Sequence, residues 1–160
     1  MTTHFSIRPA QVKDIPAILE MIKELADFEK LSHMVHATEE SLQNALFGEH
    51  PACEALVGCD QNEPIGFALF YHNFSTFVGK RGLHLEDLYV KPAYRSFGHG
   101  RDLLVEVARI AVARDCGRFE WVVLDWNDSA IDFYQGLGAE ILPDWRICRI
   151  TGALLEHLAR

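Results

Sequence analysis

Leu83-His84-Leu85-Glu86-Asp87-Leu88-Tyr89-Val90, then Lys91-Pro92-Ala93-Tyr94, then Arg95-Ser96-Phe97-Gly98-His99-Gly100 and a helical pattern from Arg101 onward form the run that decides the fold. Its first block is apolar and aromatic enough for a buried strand. Pro92 ends that strand, because proline has no N–H to give to a ladder. Gly98 and Gly100 open backbone conformations closed to other residues. A helix starting behind them turns its free N–H groups and positive dipole end toward whatever lies over the loop. Strand, glycine loop and helix start together suit an anion, most often a phosphate. The loop lacks the Gly-Lys-Ser/Thr of a Walker A motif and the third glycine of a dinucleotide fingerprint. Taken alone it is equally a plain strand-to-helix turn.

At 160 residues, with 49% apolar and 24% charged side chains, the chain reads as one soluble globular domain over 1–160. Its net charge of −8 disfavours nucleic acid and favours a cationic partner, although acidity also serves solubility alone. Cys53, Cys59, Cys116 and Cys148 show no Cys-x-x-Cys spacing and read as reduced, mostly buried thiols. His33 and His36 have no Cys or carboxylate pattern beside them, so no metal is expected. Met1-Thr2-Thr3-His4-Phe5 shows no export signal. No apolar run approaches the ~18 residues of a membrane span. The expected setting is the cytoplasm.

Along the chain, His4 to Arg8 is expected as a strand ended by Pro9. Asp14 is expected to cap a helix whose buried stripe is Ile15, Ile18, Leu19, Ile22 and Leu25. Thr38 caps a second helix to about Phe47, stopped by Gly48. Strands Cys53 to Cys59 and Ile65 to Tyr71 form a hairpin joined by residues 60–64. A linker from Asn73 to Gly82 leads to the Leu83 strand. Leu103, Leu104, Val107, Ile110 and Ala111 mark the core face of a third helix, ended by Cys116-Gly117. Phe119 to Leu124 is a strand, a short helix follows Asn127 or Asp128, Trp145 to Thr151 is a last strand, and the tail is helical. The order is mixed α/β around one central sheet.

A second motif is more particular: Asp125-Trp126-Asn127-Asp128-Ser129-Ala130-Ile131-Asp132-Phe133-Tyr134-Gln135-Gly136-Leu137-Gly138-Ala139. On a helix, Asn127, Ala130 or Ile131, and Tyr134 share one face, while Phe133 points elsewhere and is expected in the core. Strand, Arg-x-x-Gly-x-Gly, helix, strand and Asn-x-x-Ala-x-x-Phe-Tyr-x-x-x-Gly-Ala together resemble the GNAT family of acetyl-CoA-dependent N-acetyltransferases. Ile7-Arg8-Pro9-Ala10, with Asp14 and Ile18, is similar to the start of that fold. Within the family the likeness is to the spermidine/spermine (diamine) acetyltransferases. It is carried by Ile22-Lys23-Glu24-Leu25-Ala26, Phe47-Gly48-Glu49-His50-Pro51, Leu85-Glu86-Asp87, Tyr94 to Gly100, Trp126-Asn127, Phe133-Tyr134 and Trp145-Arg146.

The resemblance implies a mostly antiparallel twisted sheet with one splayed parallel strand pair, flanked by about four helices. It implies that main-chain groups of Leu88, Tyr89 and Val90 hold the pantetheine arm and thioester carbonyl of acetyl-CoA. The loop Arg95, Ser96, Phe97, Gly98, His99, Gly100 and Arg101 would wrap its diphosphate. Asn127, Ser129 and Ala130 would contact the pantetheine, and Tyr134 would protonate the departing thiolate. Glu86 would take the proton of the incoming ammonium through water, or hold that cation. Glu29, Glu120, Trp121 and Trp145 would line an acidic, aromatic acceptor channel suited to an aliphatic cation. A thioester is already activated, so an oriented neutral amine can attack it directly. No metal enters this chemistry, and a homodimer with strand exchange near the C-terminus is implied. Three departures stand out: His84 before Leu-Glu-Asp where a tyrosine is expected, His99 inside the glycine loop, and a short turn Glu140 to Asp144. The acceptor therefore stays open between a diamine, a polyamine, a thialysine-like amino acid, a small amine metabolite and a protein amine. A non-catalytic CoA-binding module is the contrasting reading.

Overall fold

The computed structural model describes residues 4–160; Met1, Thr2 and Thr3, the start of the segment read for an export signal, lie outside the described residues. It divides into two compact units, one to Val122 and one from Val123 to Arg160.

In the first unit, β1 (Phe5–Pro9), β2 (Glu54–Asp60), β3 (Glu63–Ser75), β4 (Lys80–Val90) and β5 (Arg118–Trp121) form one sheet in chain order. The first three pairings are antiparallel, and β4 with β5 is parallel. Helices α1 (Ile15–Phe28) and α2 (Glu39–Phe47) cover one face, with Ile15, Ile18, Leu19, Met21, Leu42 and Leu46 packed on Val57, Phe67, Leu69 and Tyr89. Helix α3 (His99–Ala113) covers the other face, where Leu103 lies beneath Gly58 and Gly66.

Sequence-level expectations hold best where a local signal is strong. Thr38 caps α2, its Oγ1 accepting from the Ser41 amide at 3.1 Å. Asp14 occupies the position before α1 but does not cap it: its carboxylate accepts from Arg8 at 2.7 and 2.9 Å and from the Gln11 amide at 2.7 Å. Met21 and Ala26 join the stripe of α1, while Ile22 and Leu25 are only partly buried.

Other expectations are corrected. The β2–β3 connection is two residues, Gln61 and Asn62, both at positive φ (48° and 75°), the geometry that matches strand twist in a tight hairpin. Asn73 to Gly82 is not a linker, since β3 and β4 pair through Ser75↔Lys80. Asp115, at φ 54°, rather than Gly117 takes the left-handed position behind α3. β5 stops at Trp121, so Val122 to Leu124 lie outside the ladder.

The second unit holds α4 (Asp128–Gly136) and α5 (Ala153–Leu158). Trp145 to Thr151 form no strand: among the described residues that segment has no ladder partner, and a strand exists only through one. Phe133 is 36% exposed rather than in a core, its ring 5.3 Å from that of Tyr134.

Candidate functional site

The first unit gathers its chemistry where β4 leaves β5. Their register runs Gly82↔Arg118, Leu83↔Phe119, His84↔Glu120, Leu85↔Trp121 and stops there. From Glu86 to Val90, β4 pairs with β3 on one side and, among the described residues, with no strand on the other, which leaves that edge open. The Lys91 amide donates to the Ile65 carbonyl at 2.8 Å. Antiparallel ladders alternate, so Tyr89 turns its main chain to β3, and Leu88 and Val90 turn theirs to the open edge. The Val90 carbonyl is taken by Arg95 Nε at 2.8 Å.

A bulge sits at the same place. Leu69 pairs with Asp87 and Phe70 with Leu85, leaving Glu86 as the extra residue. Bulges re-aim side chains, and here the exposed Glu86 and the half-buried Asp87 come side by side. Burial, then the charges of Glu86 and Glu29, push the Asp87 carboxyl up to about 7. Burial also raises Glu29, the residue that caps the C-terminus of α1. Cys53 is raised by burial and then by the charges of Glu54, Glu86 and Asp87. Three carboxylates thus crowd one corner of the sheet face covered by α1 and α2. Asp87 escaped sequence reasoning: only its pairing and burial set it apart from any strand carboxylate.

Two of the expected channel residues part company. Successive strand residues point to opposite faces, so Glu120 shares the face of His84 and Trp121 that of Leu85. Glu120 is paired with Arg118 at 2.8 Å and accepts from Asn73 Nδ2 at 3.4 Å.

Beyond Val90, the loop takes left-handed geometry twice, at Ser96 (φ 70°) and Gly98 (φ 88°), before α3 opens. Phe97 and Arg101 are exposed. His99 faces inward at 5% exposure, its ring stacked 3.9 Å from that of Phe5 and 5.9 Å from that of the loop residue Phe97. A Cβ on Gly100 would meet nothing closer than Val90 Cγ2 at 3.9 Å; packing within the chain leaves room for a side chain there. Arg95 lies 5.2 Å from the Tyr89 ring and 6.0 Å from that of Phe28. Burial and the hydrogen bond to Glu24, 2.7 Å long, push the Tyr89 hydroxyl up to about 12. These groups line a cleft of about 620 Å³ between α1 and the start of the loop.

In the second unit, Asn127 caps α4, its Oδ1 accepting from the Ala130 amide at 3.3 Å. Asn127, Ala130, Ile131 and Tyr134 are all partly buried, whereas Asp128, Ser129, Asp132 and Phe133 are exposed; the face expected from spacing is present. Trp145 is 78% exposed. Among the described residues no three His, Cys, Asp or Glu side chains gather as a metal site would require. No helix among them is long and apolar enough to cross a membrane.

Residues 17–139 match the model of the Acetyltransferase (GNAT) family. The chain is 41% identical to a thialysine N-epsilon-acetyltransferase of Sus scrofa, over 96% of each chain. It is 32% identical to an L-ornithine N5-acetyltransferase of Arabidopsis thaliana, over 95% of this chain and 86% of that one. A solved integron cassette protein from the mobile metagenome of V. cholerae shares the fold, with a TM-score of 0.81 at 24% identity over 98% of each chain.

Proposed function

The chain belongs to the GNAT family of acetyltransferases, and from that premise we propose that it transfers an acetyl group from acetyl-CoA to the primary amine of a small cationic acceptor by direct attack in a ternary complex. The observation that carries the acceptor class is the crowding of Glu29, Glu86 and Asp87, with the Asp87 carboxyl pushed up to about 7. Carboxylates that repel one another in a partly buried corner are relieved by a bound cation. The names of the thialysine and ornithine relatives favour a diamino acid among the candidates, ahead of a simple diamine or polyamine.

The cosubstrate fits this chain on two counts. Gly100 is bare although its own neighbours leave room for a Cβ, as a loop approached closely by a phosphate requires. The open edge of β4 offers the main-chain groups of Leu88 and the Val90 N–H, the Val90 carbonyl being held by Arg95. Acetyl-CoA supplies an activated thioester; the rest falls to side chains and amides. The loop from Arg95 to Arg101 and the first amides of α3 hold the diphosphate. Asn127, Ser129 and Ala130 steady the pantetheine. Glu86 accepts the ammonium proton, and the Tyr134 hydroxyl gives one to the departing thiolate. Glu29 and Asp87 hold the cation, and Trp145 lines the acceptor channel. All 160 residues act as one functional domain in this reading.

A homodimer that pairs the Trp145 to Thr151 segments is part of the same proposal, supported by the exposure of Trp145 (78%), Ile147 (66%) and Leu154 (71%). Free thiols at all four cysteines suit the reducing cytoplasm.

Thiol release from acetyl-CoA, followed with putrescine, spermidine, L-ornithine, thialysine and a peptide N-terminus, tests the function. Turnover is expected with the small dications. Saturable CoA binding without thiol release on any of them would replace the enzyme by a binding module. Tyr134→Phe is expected to lower kcat roughly 100-fold while the dissociation constant of acetyl-CoA stays unchanged; unaltered kcat would remove Tyr134 from the acid role.

A further inference from the structure

His84 is the one position near the carboxylate corner where this chain departs from the tyrosine that its resemblance implies. It lies on the sheet face of Asp87 and Tyr89, two residues before the bulge. Its Nε2 is 3.9 Å from Glu86 Oε2, and its side chain is 19% exposed against 55% for Glu86. The Tyr71 ring, its cross-strand neighbour, is 5.0 Å away and tilted by 31°, which holds the imidazole in place. On the other side stands Glu120, whose charge is engaged by Arg118 at 2.8 Å.

Among the described residues, the polar groups placed near this imidazole come from three strands and one helix. From β3 come the Tyr71 phenol and the Asn73 amide; from β4, Glu86 and, beyond it, Asp87; from β5, Glu120 with Arg118. Cys53 and, from α1, Glu29 complete the corner. Of these, Glu86 alone combines closeness with the freedom of an exposed side chain on a bulge. A gap of 3.9 Å is longer than a hydrogen bond, so the relay requires the exposed Glu86 carboxylate to turn toward the ring.

We propose that His84 relays onward the proton that Glu86 takes from the acceptor's ammonium group, a role resting on the amine reading above. A carboxylate is a weaker base than an alkylamine, so a proton left on it returns to nitrogen unless it is passed on. An imidazole beside it has two ring nitrogens, one to take the proton and one to release it. The ammonium N–H bond breaks with its electron pair left on nitrogen. The proton passes to a Glu86 oxygen, then to a His84 ring nitrogen, and leaves from the other ring nitrogen to water. The freed amine then attacks. His84 touches neither substrate nor cofactor in this scheme and acts through Glu86.

The test is kcat/KM for thialysine, or for whichever amine of the panel turns over faster, from about pH 7 to about pH 10. His84→Gln is expected to lose roughly tenfold at neutrality with the KM for acetyl-CoA unchanged. The loss should shrink toward about pH 10, where the amine arrives already deprotonated. Added imidazole should restore part of the rate to His84→Ala, and His84→Gln should cost nothing further on top of Glu86→Gln. A loss that is equal at every pH and unrelieved by imidazole would make His84 a packing residue and overturn the relay, as would no loss at all. A wild-type protein that acetylates no amine would bring down the acceptor reading first, and the relay with it.

Discussion

Asp87 is the residue whose neighbours alter its chemistry most. Its carboxyl is pushed up to about 7, by burial and then by Glu86 and Glu29, while in the unfolded chain it titrates near 4. Between those values the folded protein binds the extra proton, so this group subtracts stability as pH rises through the window. Asp87→Asn should therefore raise unfolding free energy by roughly 2 kcal/mol at pH 8, with the gain fading toward pH 4. Urea titrations at the two pH values measure this, and the same variant should raise the amine KM. Asp14 behaves in the opposite sense. Burial alone would raise it, but Arg8 and the Gln11 amide overcome that and hold the carboxyl below its usual range. Its contribution is complete above about pH 4 and is lost as pH falls through the lowered folded value. Arg8→Met strands a carboxylate that is 2% exposed and is expected to cost roughly 3 kcal/mol, read from the urea midpoint at pH 7.

At the level of elements, the end of the β4–β5 pairing and the bulge at Glu86 cooperate. One leaves an edge of β4 without a neighbouring strand among the described residues; the other brings two acids together beside the face beneath α1. The loop beyond them depends on Gly98 at φ 88°. Gly98→Ala meets no steric neighbour, so its cost is backbone strain, about 1 kcal/mol. That strain should appear as a raised KM for acetyl-CoA with kcat for a saturating amine little changed; a KM equal to wild type would show that the loop needs no left-handed residue there. The caps at Thr38 and Asn127 were readable beforehand because an N-cap bonds within three residues. The end of β5 and the missing strand after Trp145 were not, since a strand's extent is set by a partner remote in sequence.

For the whole molecule, the net charge of −8 adds a general attraction for cations to that of the acidic corner, and both are screened by salt. The KM of a dicationic amine is expected to climb as sodium chloride is raised from about 20 to about 300 mM, with a smaller rise for a monoamine of equal length. Initial-rate measurements decide it, and equal slopes for the two amines would mean that charge does not select the acceptor.

The family, the mixed α/β class and the two motifs came from the sequence alone, because a glycine loop, a helix cap and a heptad-like helical face are written in residues within two turns of one another. The Asp87 corner, the inward turn of His99 and the separation of Glu120 from Trp121 came only from the tertiary structure. Each depends on which strands pair, where a bulge shifts the register and what lies above the sheet. Those facts are settled by contacts tens of residues apart, and a carboxylate's neighbours, not its place in the chain, set its charge.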